Sequence, residues 1–247
     1  MTKLLATRAA LSYPGFRLYQ CARFLSVTSA EMQSVAVGWQ LYSLTGRPLD
    51  LGLAGLVQFL PGVLLVPWTG RVADRVRRER IVRYCFFGAM VCNLLLLSLE
   101  ATHHVTVGHL YVLLAASGVV RAFTGPASQA LGPLLVQKEH FPNAVAWGSS
   151  IFQSATIIGP TLGGTLYATT HSPFPVYAAA AVGFLLAFTL IGFVRPVIVQ
   201  HPTGGRGLAD LLAGFRCVWE RPVIFSAMSL DLFAVLLGGA VALLPVY

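Results

Sequence analysis

Apolar residues in this chain come in blocks of roughly 20, each closed by turn formers or by charge. Seven blocks can be read, at 17–42, 51–70, 81–100, 109–131, 145–168, 175–194 and 223–247. A helix of about 20 apolar residues crosses a hydrocarbon core of about 30 Å, so each block is expected to be a transmembrane helix. A β-barrel is disfavoured, because barrel strands alternate apolar and polar positions and are far shorter than these blocks. The connections are short and carry turn residues, as at Thr45-Gly46-Arg47-Pro48, Phe141-Pro142-Asn143 and His171-Ser172-Pro173. The pattern predicts an all-α membrane protein, in which 1–194 forms a six-span transport domain. The six spans divide into two sets of three, 17–100 and 109–194, without a clear sequence repeat between them.

Between the sixth and seventh blocks lies a longer connection, 195–222. It opens on Arg195-Pro196, and Leu208, Leu211, Leu212, Phe215 and Trp219 then recur at helical spacing with Asp210, Arg216 and Glu220 between them. That is the pattern of an amphipathic helix at a membrane surface. The seventh block, 223–247, reaches Tyr247 with no polar tail, and the chain is expected to be part of a longer protein.

Composition sharpens this picture. Hydrophobic residues make up 56% of the chain and charged residues 11%, against about 25% charged in a soluble domain. The net charge of +8 would suit nucleic acid, but the basic residues sit between apolar blocks and form no separate soluble face. Six of the 17 Lys and Arg residues fall between Arg71 and Arg83. With the N-terminus inside, the inner segments hold nearly all the basic residues and the outer loops hold only Arg47. This asymmetry predicts a multi-pass protein of the cell (inner) membrane with a cytoplasmic N-terminus. Arg17 and Arg23 interrupt any signal-peptide core. Cys21, Cys85, Cys92 and Cys217 show no paired spacing, so neither a disulfide framework nor a metal site is expected.

Three stretches resemble the major facilitator superfamily of transporters. The turn Gly70-Arg71-Val72-Ala73-Asp74-Arg75-Val76-Arg77-Arg78 is similar to that family's loop signature, Gly-x-x-x-Asp-Arg followed by basic residues. It departs at Arg77, where Gly is common, and at Glu79, where a basic residue is common. Ala155 to Gly164 resembles the antiporter signature Gly-x-x-x-Gly-Pro-x-x-Gly-Gly through Gly159, Pro160, Gly163 and Gly164, with Ala155 in place of the first Gly. Val120 to Ala127, and the opening from Phe16-Arg17-Leu18 to Gln33 and Trp39, resemble the branch containing enterobactin exporters and macrolide efflux pumps. The resemblance covers nearly the whole chain. It implies twelve spans in two halves, of which this chain holds the first half and span seven, so a missing C-terminal half is an expected partner.

Each motif has a physical role to set beside the one the resemblance implies. Gly70 would permit a tight exit from the second helix. Asp74 could cap a helix or pair with an Arg. Arg75, Arg78 and their neighbours would anchor the loop at an anionic leaflet. The resemblance adds a latch on the outward-facing state. Gly159, Pro160, Gly163 and Gly164 thin and kink the fifth span for close packing, and the resemblance adds a pivot or a seal against leak. Glu31 lies near the middle of the first span, where a carboxylate is costly and seldom faces lipid. It is the candidate proton-coupling or cation-binding group. Arg121 cannot lose its charge and needs a partner; it resembles the fourth-span arginine that the family associates with proton transfer. Asp231 could line the same cavity from span seven. Arg23 is expected to snorkel to the membrane surface.

Gln33, Gln40, Gln58, Asn93, Gln129 and Gln153 are candidates for a polar cavity or for hydrogen bonds between helices. Phe24, Trp39, Phe59 and Phe152 could contact an apolar substrate, and His103 and His104 fall in an outer loop. An enzyme is not expected: the histidines sit at span ends or loops, and the acidic residues are scattered. A channel would need a filter of repeated polar groups, which is not seen. No Gly-x-x-x-x-Gly-Lys motif supports ATP drive, and no cofactor is implied. The expected function is a proton-coupled exporter of a small amphipathic compound such as a drug or siderophore, working with protons and the bilayer and not with nucleic acid. An importer or facilitator on the same fold stays open.

Overall fold

A computed structural model describes residues 9–195, 225–226 and 229–230 of the chain. Asp231, the linker beyond Arg195 and most of span seven lie outside the described residues. Among the described residues there is no strand. Six long helices account for most of them: α1 (Pro14–Thr45), α2 (Pro48–Arg75), α3 (Arg78–Ala101), α4 (Val107–Leu131), α5 (Phe141–Thr170) and α6 (Phe174–Gly192). Short 3-10 turns at Ala9–Ser12, Gly132–Leu135 and Lys138–His140 fill the approaches. Phe225–Ser226 and Ser229–Leu230 are also helical.

The helix ends follow the local chemistry. Pro14 starts α1, where its missing N–H costs nothing. Gly46 stops it at φ 63°, returning its N–H to the Tyr42 carbonyl. Arg47-Pro48 then starts α2, with Asp50 in the first turn, where a negative charge suits the helix dipole. Thr106 caps α4, its hydroxyl accepting the His109 N–H.

Every helix overruns its predicted span at one end or both. Hydropathy marks the lipid-immersed part, whereas the backbone stays helical until a cap or a proline stops it. The second span shows this best. Gly70 does not form the predicted exit; α2 runs through it to Arg75, and the chain turns at Val76 and Arg77 instead. Asp74 belongs to the last turn of α2, while Arg77 holds the N-cap position of α3; the side chain of Asp74 lies outside the described ones.

Neighbouring helices pack in the order α5–α1–α6–α3–α4–α2. The two predicted triplets therefore interleave. Exchanging α1 with α4, α2 with α5 and α3 with α6 leaves the same pairs of helices as neighbours. The packing thus carries a twofold pattern that the sequence lacks, as expected of a repeat built from three-helix units.

Four helical stretches are long and apolar enough to cross a membrane: Pro48–Leu65, Arg78–Ala101, Val107–Leu135 and Phe174–Gly192. The helices α1 and α5 fall short of that composition. The reason is visible in the packing, because both spend positions on buried polar groups or glycine: Gln20, Ser26, Thr28, Ser29, Gln33 and Gln40 in α1, and Gly148, Gly159 and Gly163 in α5.

Two apolar clusters divide the bundle along its length. One lies at the end with the Arg71–Arg83 group and contains Phe16, Tyr19, Val82, Phe86, Leu131 and Ile191. The other lies at the opposite end and contains Val37, Leu41, Leu96, Leu110, Leu114 and Tyr177.

A polar layer separates them. Asn93, fully buried, donates to the Gln33 amide oxygen at 3.0 Å and to its own helix at the Ala89 carbonyl. Gln33 donates in turn to the Ser117 hydroxyl at 3.2 Å. This chain of bonds ties α1 to α3 and α4. Asn93→Leu should leave the Gln33 amide oxygen unpaired and destabilise the bundle by about 1–3 kcal/mol, read as a lower melting temperature of the purified protein. An unchanged melt would show that water or lipid replaces the amide without cost.

Candidate functional site

A cavity of about 180 Å³ opens inside the bundle beside the polar layer. From α1 it is lined by Arg23, Ser26, Val27, Ala30 and Glu31. These positions recur at intervals of three and four and make a single stripe along the helix. Gln33 lines it too, with Gln58 from α2, Ser117 and Arg121 from α4, and Phe152 from α5.

Six sequence-predicted residues therefore meet here: Glu31, Gln33, Gln58, Arg121, Gln129 and Phe152. Glu31 faces Arg121 across the cavity, Oε1 to Nη2, at 3.7 Å. The Glu31 side chain is 21% exposed and that of Arg121 59%, so the carboxylate is the more deeply held partner. A lone carboxylate at this depth would be strongly disfavoured, and the guanidinium offsets that cost.

The backbone of α5 sets the position of Glu31. Gly159 and Gly163 are buried against α1. A Cβ on Gly159 would stand 2.5 Å from the Glu31 Cβ and 2.9 Å from the Thr28 carbonyl oxygen. A Cβ on Gly163 would stand 2.9 Å from the Met32 Cα. Only glycine allows this approach. Gly164 differs, with no atom within 4 Å of such a Cβ. Pro160 lies within α5, which continues unbroken through it. The α4–α2 and α6–α1 crossings use the same device at Gly118, against the Gln58 backbone, and at Gly183, against Ser29. No motif marked those two glycines.

Arg23 does not snorkel as expected. It lines the cavity, lies 5.5 Å above the Phe152 ring and donates to the Gly148 carbonyl at 3.4 Å. The aromatic face gives the cation a partner inside the bundle, which removes the need to reach the surface. A second cavity, of about 340 Å³, lies alongside and shares Arg23, Ser128 and Gln129 with the first.

The remaining candidates separate. Gln40 is at the far end, where it accepts from the Tyr177 hydroxyl at 2.7 Å and donates to Glu100. Trp39 stacks on Tyr167 there, ring centroids 6.1 Å apart. Phe59 and Gln153 are exposed, and His103 and His104 lie in an exposed turn. Sequence reasoning passed over Ser117, Glu100 and Tyr177; a serine or tyrosine in an apolar helix carries no periodic signal of its own.

In the loop motif, Arg78 donates to the Ala130 carbonyl at 3.2 Å, joining the start of α3 to the end of α4. Arg77 pairs with Glu79, so the two residues at which the loop departs from the common pattern hold each other. Gly70 and Arg75 are exposed.

A six-helix bundle with a charged pair in its interior and a basic turn between its second and third helices fits a transporter half. The sequence profile of the Major Facilitator Superfamily matches residues 21–247. The chain belongs to this family of transporters. It is 28% identical over 193 residues to the uncharacterized MFS-type transporter YfiS of Bacillus subtilis, covering 76% of this chain and 45% of that protein. It is 28% identical over 223 residues to the enterobactin exporter EntS of Escherichia coli O139:H28, covering 86% and 51% respectively. Identity to macrolide efflux protein A of Streptococcus pyogenes is 26% over 213 residues, with the same two coverages of 86% and 51%. The chain thus spans about half the length of the curated relatives it matches.

Proposed function

We propose that this chain is the first half of a proton-coupled exporter of a small amphipathic compound. The observation that carries the reading is the Glu31–Arg121 pair in the central cavity. A carboxylate that can be neutralised, beside an arginine that cannot, is a device for taking up and releasing one proton. Protonation of Glu31 removes its attraction to Arg121, and the freed guanidinium seeks another partner. Two arrangements of one site, selected by a proton, are what alternating access requires.

The N-terminus and the Arg71–Arg83 turn lie on the cytoplasmic side of the inner membrane in this reading, and α2 and α5 face the second half of the whole protein. The turn acts as a latch: Arg78 holds α3 to α4 in one state, and Asp74 and Arg75 engage the other half. Gly159, Pro160, Gly163 and Gly164 let α5 pivot on α1. Support for export over import comes from the relatives named as exporter and efflux proteins.

The test uses inverted membrane vesicles from cells making the complete protein. An imposed proton gradient should drive accumulation of a fluorescent amphiphile, and a protonophore should return it to the level of vesicles lacking the protein. Accumulation that persists with the protonophore would end the proton-coupled reading.

A further inference from the structure

We propose that Arg23 forms a subsite for the acidic group of the transported compound, so that the substrate class is an organic anion with an apolar body. This inference rests on the exporter reading and names the substrate class of the same cavity.

Three charged side chains line the cavity: Arg23, Arg121 and Glu31. Glu31 pairs with Arg121. Among the described residues no carboxylate pairs with Arg23, whose partners are one carbonyl and one aromatic face. The site is therefore net positive, and its surplus charge is on Arg23. A guanidinium presents a planar fork of N–H donors that suits a carboxylate in two-point contact. Its bond to the Gly148 carbonyl uses one N–H and leaves others free.

Position points the same way. Arg23 stands where the two cavities meet, with Ser128 and Gln129. Eight residues of helix place it about 12 Å along α1 from Glu31. An anion held there is separate from the Glu31–Arg121 pair. The first cavity, at about 180 Å³, is below the roughly 300–1,000 Å³ that enclose a drug-sized ligand. It has room for a charged group and part of an apolar body, with Phe152 beside the cation to cover it.

The experiment takes the complete protein, purified in detergent, and three probes that share one apolar body: pyrenebutyrate, pyrenebutanol and pyrenebutylamine. Binding is read by energy transfer from tryptophan to pyrene. Pyrenebutyrate should bind about tenfold or more tightly than the amine, as expected of one charge-assisted hydrogen bond that only the anion can make. Arg23→Gln should erase that difference, and Arg23→Lys should retain part of it. If Arg23→Gln fails to fold, the order of the three probes on the unaltered protein decides alone. Equal or tighter binding of the amine overturns the proposal, as does a preference for the butyrate that survives Arg23→Gln. The exporter reading fails separately: a butyrate preference without protonophore-sensitive transport in vesicles removes that reading and leaves the subsite. Transport of the amine without the butyrate does the reverse.

Discussion

Glu31→Gln is expected to reduce proton-driven export to the level of cells lacking the protein, with insertion and yield unchanged. The substitution keeps the size of the side chain and its bonding capacity while removing the titratable proton. The carboxamide fills the same space beside Arg121, whose Nη2 lies 3.7 Å from the Glu31 Oε1, so the cavity need not collapse. The bundle loses only the charged form, and with it the ability to alternate between two protonation states. Downhill exchange of substrate across vesicles, which needs no net proton movement, should survive in the variant. That pairing separates a coupling role from a packing role. If Glu31→Gln drives export as well as the unaltered protein does, Glu31 is a structural polar contact and the coupling group lies elsewhere. If both exchange and export vanish while yield holds, Glu31 is needed for the conformational change itself.

The chain declares its helices plainly and its site only in part. Blocks of apolar residues located all six bundle helices, because lipid imposes length and composition directly on sequence. Ends were less legible. The helix through Gly70 continues to Arg75, since a glycine inside a helix whose hydrogen bonds are already formed is tolerated, whatever its freedom to turn. Glu31 and Arg121 could be singled out because charge inside an apolar block is costly and rare. Their meeting could not be read, because it depends on α1 and α4 facing one cavity, and each sits in a separate triplet of spans. Arg23 shows the same limit from the other side. Its place nearer the end of the first span suggested snorkelling, and only the arrival of Phe152 from α5 explains why it turns inward. The order α5–α1–α6–α3–α4–α2 is a property of pairs of surfaces, and no single helix carries it.

The glycines of α5 supply the second large effect. Gly159→Val should lower the melting temperature and abolish export, whereas Gly164→Val should leave the melting temperature unchanged. At Gly159 an added Cβ alone would stand 2.5 Å from the Glu31 Cβ, closer than non-bonded carbons approach, and the nearby Thr28 carbonyl is backbone that cannot rotate aside. Valine adds two methyl groups to that collision, so α5 and α1 must separate; overpacking of this kind costs about 1–3 kcal/mol or more. The collision falls on the Cβ of Glu31 itself, which links the stability loss to the Glu31–Arg121 pair. At Gly164 an added Cβ meets nothing within 4 Å, so within this half of the protein the larger side chain has space. Melting curves of the two purified variants decide the structural part: equal curves would refute close packing as the reason for glycine at 159. Transport by Gly164→Val then carries the functional part. Normal melting with lost export would mean that position 164 works against a surface that moves past it. That is the role the antiporter signature implies, and one that a glycine kept only for static packing could not have.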